Sequence, residues 1–401
     1  MRFASLVRRA ASAVRDRVGQ QGLAAAAKLE KRRDRLGLPG SDPGAEAVVN
    51  IAIQWLCAAQ NSSKSHDGGV ARDYSLINGW SSSYPETTGY IIPSLLANTG
   101  DGDPLELRVR ARRMLDWLVR IQMPSGAFQA GKIDSTPVKP VTFNTGQIVL
   151  GLASGETAFG TYGHALKKAS DWLVATQDAD GCWRQFATPF AVEGEKTYET
   201  HVSWGLLEAE RLYPNRGYAE AALKNLRWAT GKQRENGWLE DCCLTNPSAP
   251  LTHTLGYAVR GLLEGYRFNS DPALALAARR TADALLSKLG NDGFLAGRFN
   301  SDWSAATDSA CLTGTVQIAH CWLLIFEDTG EPRYLDGARR ANAYVRRTVR
   351  LDGPEGIRGG VKGSFPIDGD YGPFEYLSWA AKFLIDSVLL EVAVSVENAA
   401  P

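Results

Sequence analysis

The stretch Lys196–Leu212 reads KTYETHVSWGLLEAERL. Val202, Trp204, Leu206, Leu207 and Leu212 make it apolar around most of a helix, whereas its beginning carries Tyr198, Glu199 and His201. A helix apolar on most faces belongs inside a protein, and the unpaired N–H groups of its first turn can open onto a cleft. The stretch decides the fold because the rest of the chain repeats its design.

Outward from it in both directions, Ala45–Gln60 shows apolar residues at helical spacing, and charged amphipathic helices are predicted at Pro104–Gln122, Tyr162–Gln177, Tyr218–Gln233, Pro272–Leu289 and Arg333–Arg350. Three of these charged helices close on a glutamine, Gln122, Gln177 and Gln233. Five run into glycine turns: Ser125-Gly126-Ala127-Phe128, Asp180-Gly181-Cys182-Trp183, Asn236-Gly237-Trp238, Asp292-Gly293-Phe294 and Asp352-Gly353. Glycine supplies the tight turn, and the aromatic that follows can plug the gap between neighbouring helix pairs. Apolar helices are then expected to begin near Glu86, Asn144, Glu199, Thr252, Leu312 and Glu375, at spacings of 58, 55, 53, 60 and 63 residues. Six polar and six apolar helices in alternation predict an all-α (α/α)6 toroid of six outer and six inner helices, with the inner N-termini around one mouth. An open solenoid is the competing arrangement. The expected organisation is a basic helical extension over residues 1–40 and a single toroid domain over 41–401.

The 44 basic and 44 acidic residues cancel, so no global field draws the chain to nucleic acid, and no nucleic-acid partner is expected. Six scattered cysteines in so long a chain read as free thiols in a reducing, cytoplasmic setting. No apolar run is long enough to cross a membrane. Residues 1–37 break the balance: ten Lys and Arg face Asp16, Glu30 and Asp34, a net charge of +7. This segment reads first as a helix lying over the core or solvated, second as a peripheral membrane or partner contact, and third as a targeting segment.

The predicted inner-helix starts collect Glu86; Asn144 and Gln147; Tyr198, Glu199 and His201; His253 and Tyr257; Asp308; and Tyr371, Glu375 and Tyr376. Helix N-termini keep carboxylates ionised and histidines neutral, and both forms accept protons. Glu199, His201, His253, Glu375 and Tyr371 are therefore the catalytic candidates. Glu86 and Glu375 also suit an ordinary first-turn cap. Trp80, Tyr84, Trp183, Trp238 and Trp303 precede inner helices, where flat apolar faces beside amides and acids suit sugar rings. Lys362, in the glycine-rich stretch Gly359–Pro373, is the cation that would meet an acidic sugar. No cofactor is expected; zinc among Glu240, Asp241, Cys242, Cys243, His253 and His201 is a minor alternative, since no C-x-x-C or H-E-x-x-H pattern occurs.

Glutamine-ended helices followed by DGxW-type turns resemble the repeats of terpenoid cyclase and protein prenyltransferase β-subunit toroids. With SSSYPETTGYIIPSLL, THTLGYAVRGLLEGY, CLTGTVQIAHCWL and GSFPIDGDYGPFEYLSWAAKFLIDSVLL, the repeat region is most similar to the prenyltransferase-like toroid proteins of bacterial exopolysaccharide clusters. That resemblance implies a place in polysaccharide biosynthesis and no particular reaction. The D-x-D-D acid of squalene-type cyclases is absent, as is the Cys-His-Gly motif of lanthionine-forming cyclases. Asp241, Cys243 and His253 match the residue types of a prenyltransferase zinc site at a much shorter spacing. The expected function is thus a carbohydrate-active enzyme of epimerase, lyase or hydrolase type, acting on an acidic glycan or lipid-linked oligosaccharide. The alternatives are a noncatalytic glycan-binding or scaffold toroid and a zinc-dependent transferase.

Overall fold

A computed structural model describes residues 23–100 and 102–397. In chain order it contains α1 (Ala25–Asp34), α2 (Ala45–Asn61), β1 (Asp73–Ser75), β2 (Gly79–Trp80), α3 (Pro85–Ala97), α4 (Leu107–Ile121), α5 (Thr142–Phe159) and α6 (Gly163–Ala175). There follow α7 (Thr200–Leu212), α8 (Tyr218–Thr230), α9 (Thr252–Asn269), α10 (Pro272–Leu286), β3 (Ala310–Cys311), α11 (Leu312–Thr329), α12 (Pro332–Arg346), β4 (Ser364–Phe365), β5 (Glu375–Leu377) and α13 (Ser378–Glu397). Proline in the first turn of α3, α10 and α12 fits where an N–H would lack a partner. Gly160 and Gly330 end α5 and α11 in the left-handed conformation.

The inner ring is α3, α5, α7, α9, α11 and α13, each packed on the next, and α13 packs back on α3. The outer ring is α2, α4, α6, α8, α10 and α12, with α2 seated on α13 and the others on the inner helix they precede or follow. Burial separates the rings as their sequences do. Thr142 through Ala153 of α5 is buried without a break, whereas α4 buries one stripe of Leu107, Ala111, Met114, Leu115, Trp117 and Leu118.

The repeated glutamines and glycines bind successive outer helices together. Gln122 Nε2 donates to the carbonyls of Gly126 and Ala165 at 3.0 and 2.9 Å, and Gln177 Nε2 to those of Gly181 and Ala221 at 3.0 and 2.8 Å. Gln233 Nε2 reaches the Ala277 carbonyl at 2.7 Å. Each therefore ties its own turn, or its own helix end, to the next outer helix. Gly181 has φ +100°, and a Cβ there would sit 2.7 Å from the Lys224 carbonyl oxygen, so the turn needs glycine for conformation and for space. The aromatic plugs Phe128, Trp183 and Trp238 are buried beside these turns.

Ring closure uses a small sheet as well as helix packing. β1 pairs antiparallel with β2 and with β5, placing Tyr74 opposite both Trp80 and Tyr376. The last inner helix therefore begins at Ser378, and Glu375, expected at its start, stands on a strand instead. The reason is local: the Ser75–Glu375 and Asp73–Leu377 pairings place 375–377 alongside β1, so the chain is extended where a helix was predicted.

The most N-terminal basic residues, Arg2 to Arg17, lie outside the described residues. The described part of the segment is fastened to the ring. Glu30 and Asp34 of α1 are buried, and Lys362 Nζ lies 2.8 Å from Glu30 Oε1 and 2.5 Å from Asp34 Oδ1. Asp34 Oδ2 also accepts from the Ile367 N–H at 2.7 Å, and Lys31 pairs with Asp368 at 2.6 Å. Among the described residues, no helix is long and apolar enough to cross a membrane. All six cysteines are buried free thiols.

Candidate active site

The N-terminal ends of α3, α5 and α9, with loops from the first and last repeats, enclose a cavity of about 720 Å³. Trp80, Tyr84, Glu86, Asn144, Tyr198, His253, Tyr257, Tyr371 and Glu375 line it, so ring closure brings together residues from five of the six predicted mouths. Tyr198, Phe143 and Tyr257 form an aromatic wall, with Phe143 5.2 Å from Tyr198 and 5.0 Å from Tyr257 between ring centroids. The Tyr371 hydroxyl accepts from Trp379 Nε1 at 3.0 Å.

Two lining groups have protonation states suited to proton transfer. His253 Nδ1 lies 2.7 Å from Gln317 Oε1. An amide oxygen only accepts, so Nδ1 carries the proton and Nε2 the lone pair. Burial depresses this imidazole to about 4, against the opposing Gln317 bond, so it is neutral near pH 7. Glu86, in the first turn of α3, is pushed by burial up to about 8, against the pull of the Tyr84 hydroxyl and the Arg72 charge. The cavity thus presents a protonated carboxyl and a neutral imidazole.

Arg72, which the sequence did not single out, organises one side. Its Nη1 donates to Asp73 Oδ1 and Glu375 Oε2, both at 2.9 Å, and its guanidinium lies 5.2 Å over the Trp379 ring. Burial raises the Glu375 carboxyl while Arg72 opposes the rise. The other guanidinium nitrogens of Arg72 have no hydrogen-bond partner among the described residues, which leaves donors for a ligand. Asp73 and Tyr74 beside it mark a polar and aromatic edge in the sequence, but only the pairing with Glu375 identifies its role. Trp379 was hidden inside what read as a uniformly apolar helix.

Nine predicted residues do not line the cavity. Glu199 ends a 3₁₀ turn, Thr197–Glu199, that carries its side chain into the packed wall, where burial raises it to about 8 against the Lys196 charge. Its Oε2 has no hydrogen-bond partner among the described residues. His201 is buried one layer down, with Nδ1 2.6 Å from Gln147 Oε1 and its ring 4.6 Å from Tyr257, which removes both His201 and Gln147 from the mouth. Trp183, Trp238 and Trp303 are inter-repeat plugs: Trp183 Nε1 donates to the Leu173 carbonyl, Trp303 Nε1 to the Asn236 carbonyl, and Trp238 packs 5.4 Å from Trp303. Asp308 is exposed on a loop. Lys362 is spent on Glu30 and Asp34, and Tyr376 is buried beside those carboxyls on β5. Among the described residues no group of three His, Cys, Asp or Glu side chains is placed to hold a metal ion, and Asp241, Cys243 and His253 form no such group.

Solved structures resemble this architecture closely. An unsaturated glucuronyl hydrolase specific for heparin superposes with a TM-score of 0.70 at 12% identity, over 89% of this chain and 99% of its own. The fold is an (α/α)6 toroid. An unsaturated glucuronyl hydrolase from a Bacillus species gives a TM-score of 0.67 at 15% identity, over 86% of this chain and 96% of its own. A D-mannose isomerase gives 0.68 at 12% identity, over 89% and 100%. No protein-family model matches the sequence, and no curated protein matches it. At these identities the likeness is one of fold.

Proposed function

We propose that the toroid is a glycan-active enzyme of polysaccharide biosynthesis that works by proton transfer on an acidic glycan or a lipid-linked oligosaccharide. The observation that carries this is the pairing, in one aromatic-walled cavity, of a protonated Glu86 and a neutral His253 with its Nε2 lone pair free. One gives a proton and the other takes one, as sugar epimerisation, elimination or glycosidic cleavage requires. Glu86 takes the place first assigned to Glu199. Tyr198, Tyr257 and Trp379 offer flat faces to a pyranose ring, and Asn144 offers polar atoms to its hydroxyls. The free donors of Arg72 suit a substrate carboxylate. The similar structures are described as unsaturated glucuronyl hydrolases and a D-mannose isomerase, names that fit a sugar in this cavity.

The test is turnover of uronate-containing oligosaccharides, free and lipid-linked, by wild type, Glu86→Gln and His253→Ala. Each substitution is expected to lower kcat by about 100-fold or more. Full turnover in both variants refutes the assignment. Glycan binding without turnover, surviving both substitutions, would instead identify a noncatalytic binding toroid.

A further inference from the structure

The inner ring has a second cavity at its other end. The C-terminal halves of α3, α5, α7 and α9, with α13, surround about 560 Å³ of space. Tyr90 lines both cavities, and its hydroxyl lies 3.5 Å from that of Tyr257 in the upper one. Arg211, in the last turn of α7, answers the partial negative charge of that helix end, and Arg260 and Lys382 line the same cavity.

Three carboxylates also line this cavity, and each has a partner on at least one oxygen. Asp386 accepts from Ser94 Oγ and from Lys382 Nζ, both at 2.6 Å. Glu208 accepts from Trp204 Nε1 at 3.1 Å and has Arg211 3.5 Å away. Glu264 accepts from Arg260 Nε at 2.6 Å. The cations are less fully engaged. Arg260 lies 4.2 Å over the Trp204 ring and commits only Nε, so neither of its Nη groups hydrogen-bonds or ion-pairs with any described residue. Lys382, between the rings of Phe383 and Tyr90 at 4.4 and 5.5 Å, has the one carboxylate of Asp386. Glu208 Oε2 and Glu264 Oε2 also have no partner among the described residues, but the largest set of free donors belongs to Arg260, a planar fork already oriented by an indole.

We propose that this lower cavity is a second ligand site, which takes a small molecule bearing an oxyanion, carboxylate or phosphate, on the Nη groups of Arg260. It is independent of the proton chemistry assigned to the upper cavity. Stacking on Trp204 and the Nε bond to Glu264 fix the guanidinium before the ligand arrives, so little side-chain entropy is lost on binding.

The experiment is calorimetric titration of the full chain with D-glucuronate, inorganic phosphate and D-glucose, repeated on Arg260→Lys, Ser154→Phe and Arg72→Met. Arg260→Lys keeps the charge and removes the fork, Ser154→Phe fills the cavity from α5 without touching the ion pairs, and Arg72→Met alters the upper cavity alone. Anion binding is expected to weaken by about tenfold or more in the first two and to persist in the third. Binding of glucuronate but not phosphate marks the ligand as a sugar acid, whereas phosphate binding marks a free oxyanion. The proposal is overturned if wild type, Arg260→Lys and Ser154→Phe give superimposable isotherms, if glucose binds as tightly as the anions, or if neither anion binds up to ~10 mM. Should Arg260→Lys fail to fold, Ser154→Phe decides alone. Loss of turnover in the upper cavity has no bearing on this result.

Discussion

Glu86→Gln should stabilise the protein, by an amount that grows as pH rises from about 4.5 to 8. The carboxyl is held near 8 in the fold against a value of 4.5 when unconstrained, because burial disfavours the charged form. The sign follows from proton counting. Between about 4.5 and 8 the folded state keeps a proton that the unfolded state releases, so this group's contribution is complete below 4.5, falls steadily across that interval and is fully lost above 8. Full ionisation would cost about 5 kcal/mol at 1.36 kcal/mol per pH unit. Glu86 keeps an edge on the open cavity, and water there reduces the loss to about 2–3 kcal/mol. A neutral glutamine has no such loss. Thermal melts at pH 5 and pH 8.5 are the assay: the two proteins should melt together at the lower pH, with the variant about 3 °C higher at the upper one for a chain of this size. An equal offset at both pH values, or a variant less stable at pH 8.5, would falsify the assignment of Glu86 as a buried, protonated acid.

Turnover should show the same group. An alkaline limb is expected near 8, and Tyr84→Phe, which removes a bond favouring the ionised carboxylate, should move that limb up by about one pH unit in a pH–rate profile. Lys362→Met leaves Glu30 and Asp34 buried without their cation and should lower stability by about 3–5 kcal/mol in urea denaturation; adding Asp34→Asn should restore part of it. Gly181→Ala must accept φ +100° and a Cβ 2.7 Å from the Lys224 carbonyl, a cost of about 3 kcal/mol. Gly330→Ala, with φ +69° and open space around it, should cost only about 1 kcal/mol in the same melts, and equal losses would refute the inter-repeat role of the DG turn.

The ring was legible because its repeats are written locally. Apolar periodicity, the closing glutamines and the glycine turns each act within one or two neighbouring repeats, and the bonds from Gln122, Gln177 and Gln233 span a fixed interval of about one repeat. The site was legible only in part. Proximity to a helix start identified His253, Glu86 and Asn144, but the same rule promoted Glu199 and His201, which an additional 3₁₀ turn and one further step along the helix carry into packing. Nothing local could report that Glu375 and Arg72, 303 residues apart, form one ion pair, or that Lys362 would be neutralised by Glu30 and Asp34 of the first described helix. Those facts depend on where the two ends of the repeat array meet.

The β1–β5 pairing also fixes an order of events during synthesis. Arg72 and Asp73 leave the ribosome long before Glu375, Leu377 and Trp379, their partners in the sheet and the cavity wall. A nascent chain can stack its helical pairs as they emerge, but it exposes one open edge of the stack at each stage. Until β5 pairs with β1 there is no closed chamber for the catalytic candidates of the middle repeats to line. Competence arrives in a single late step, when the seam is sewn.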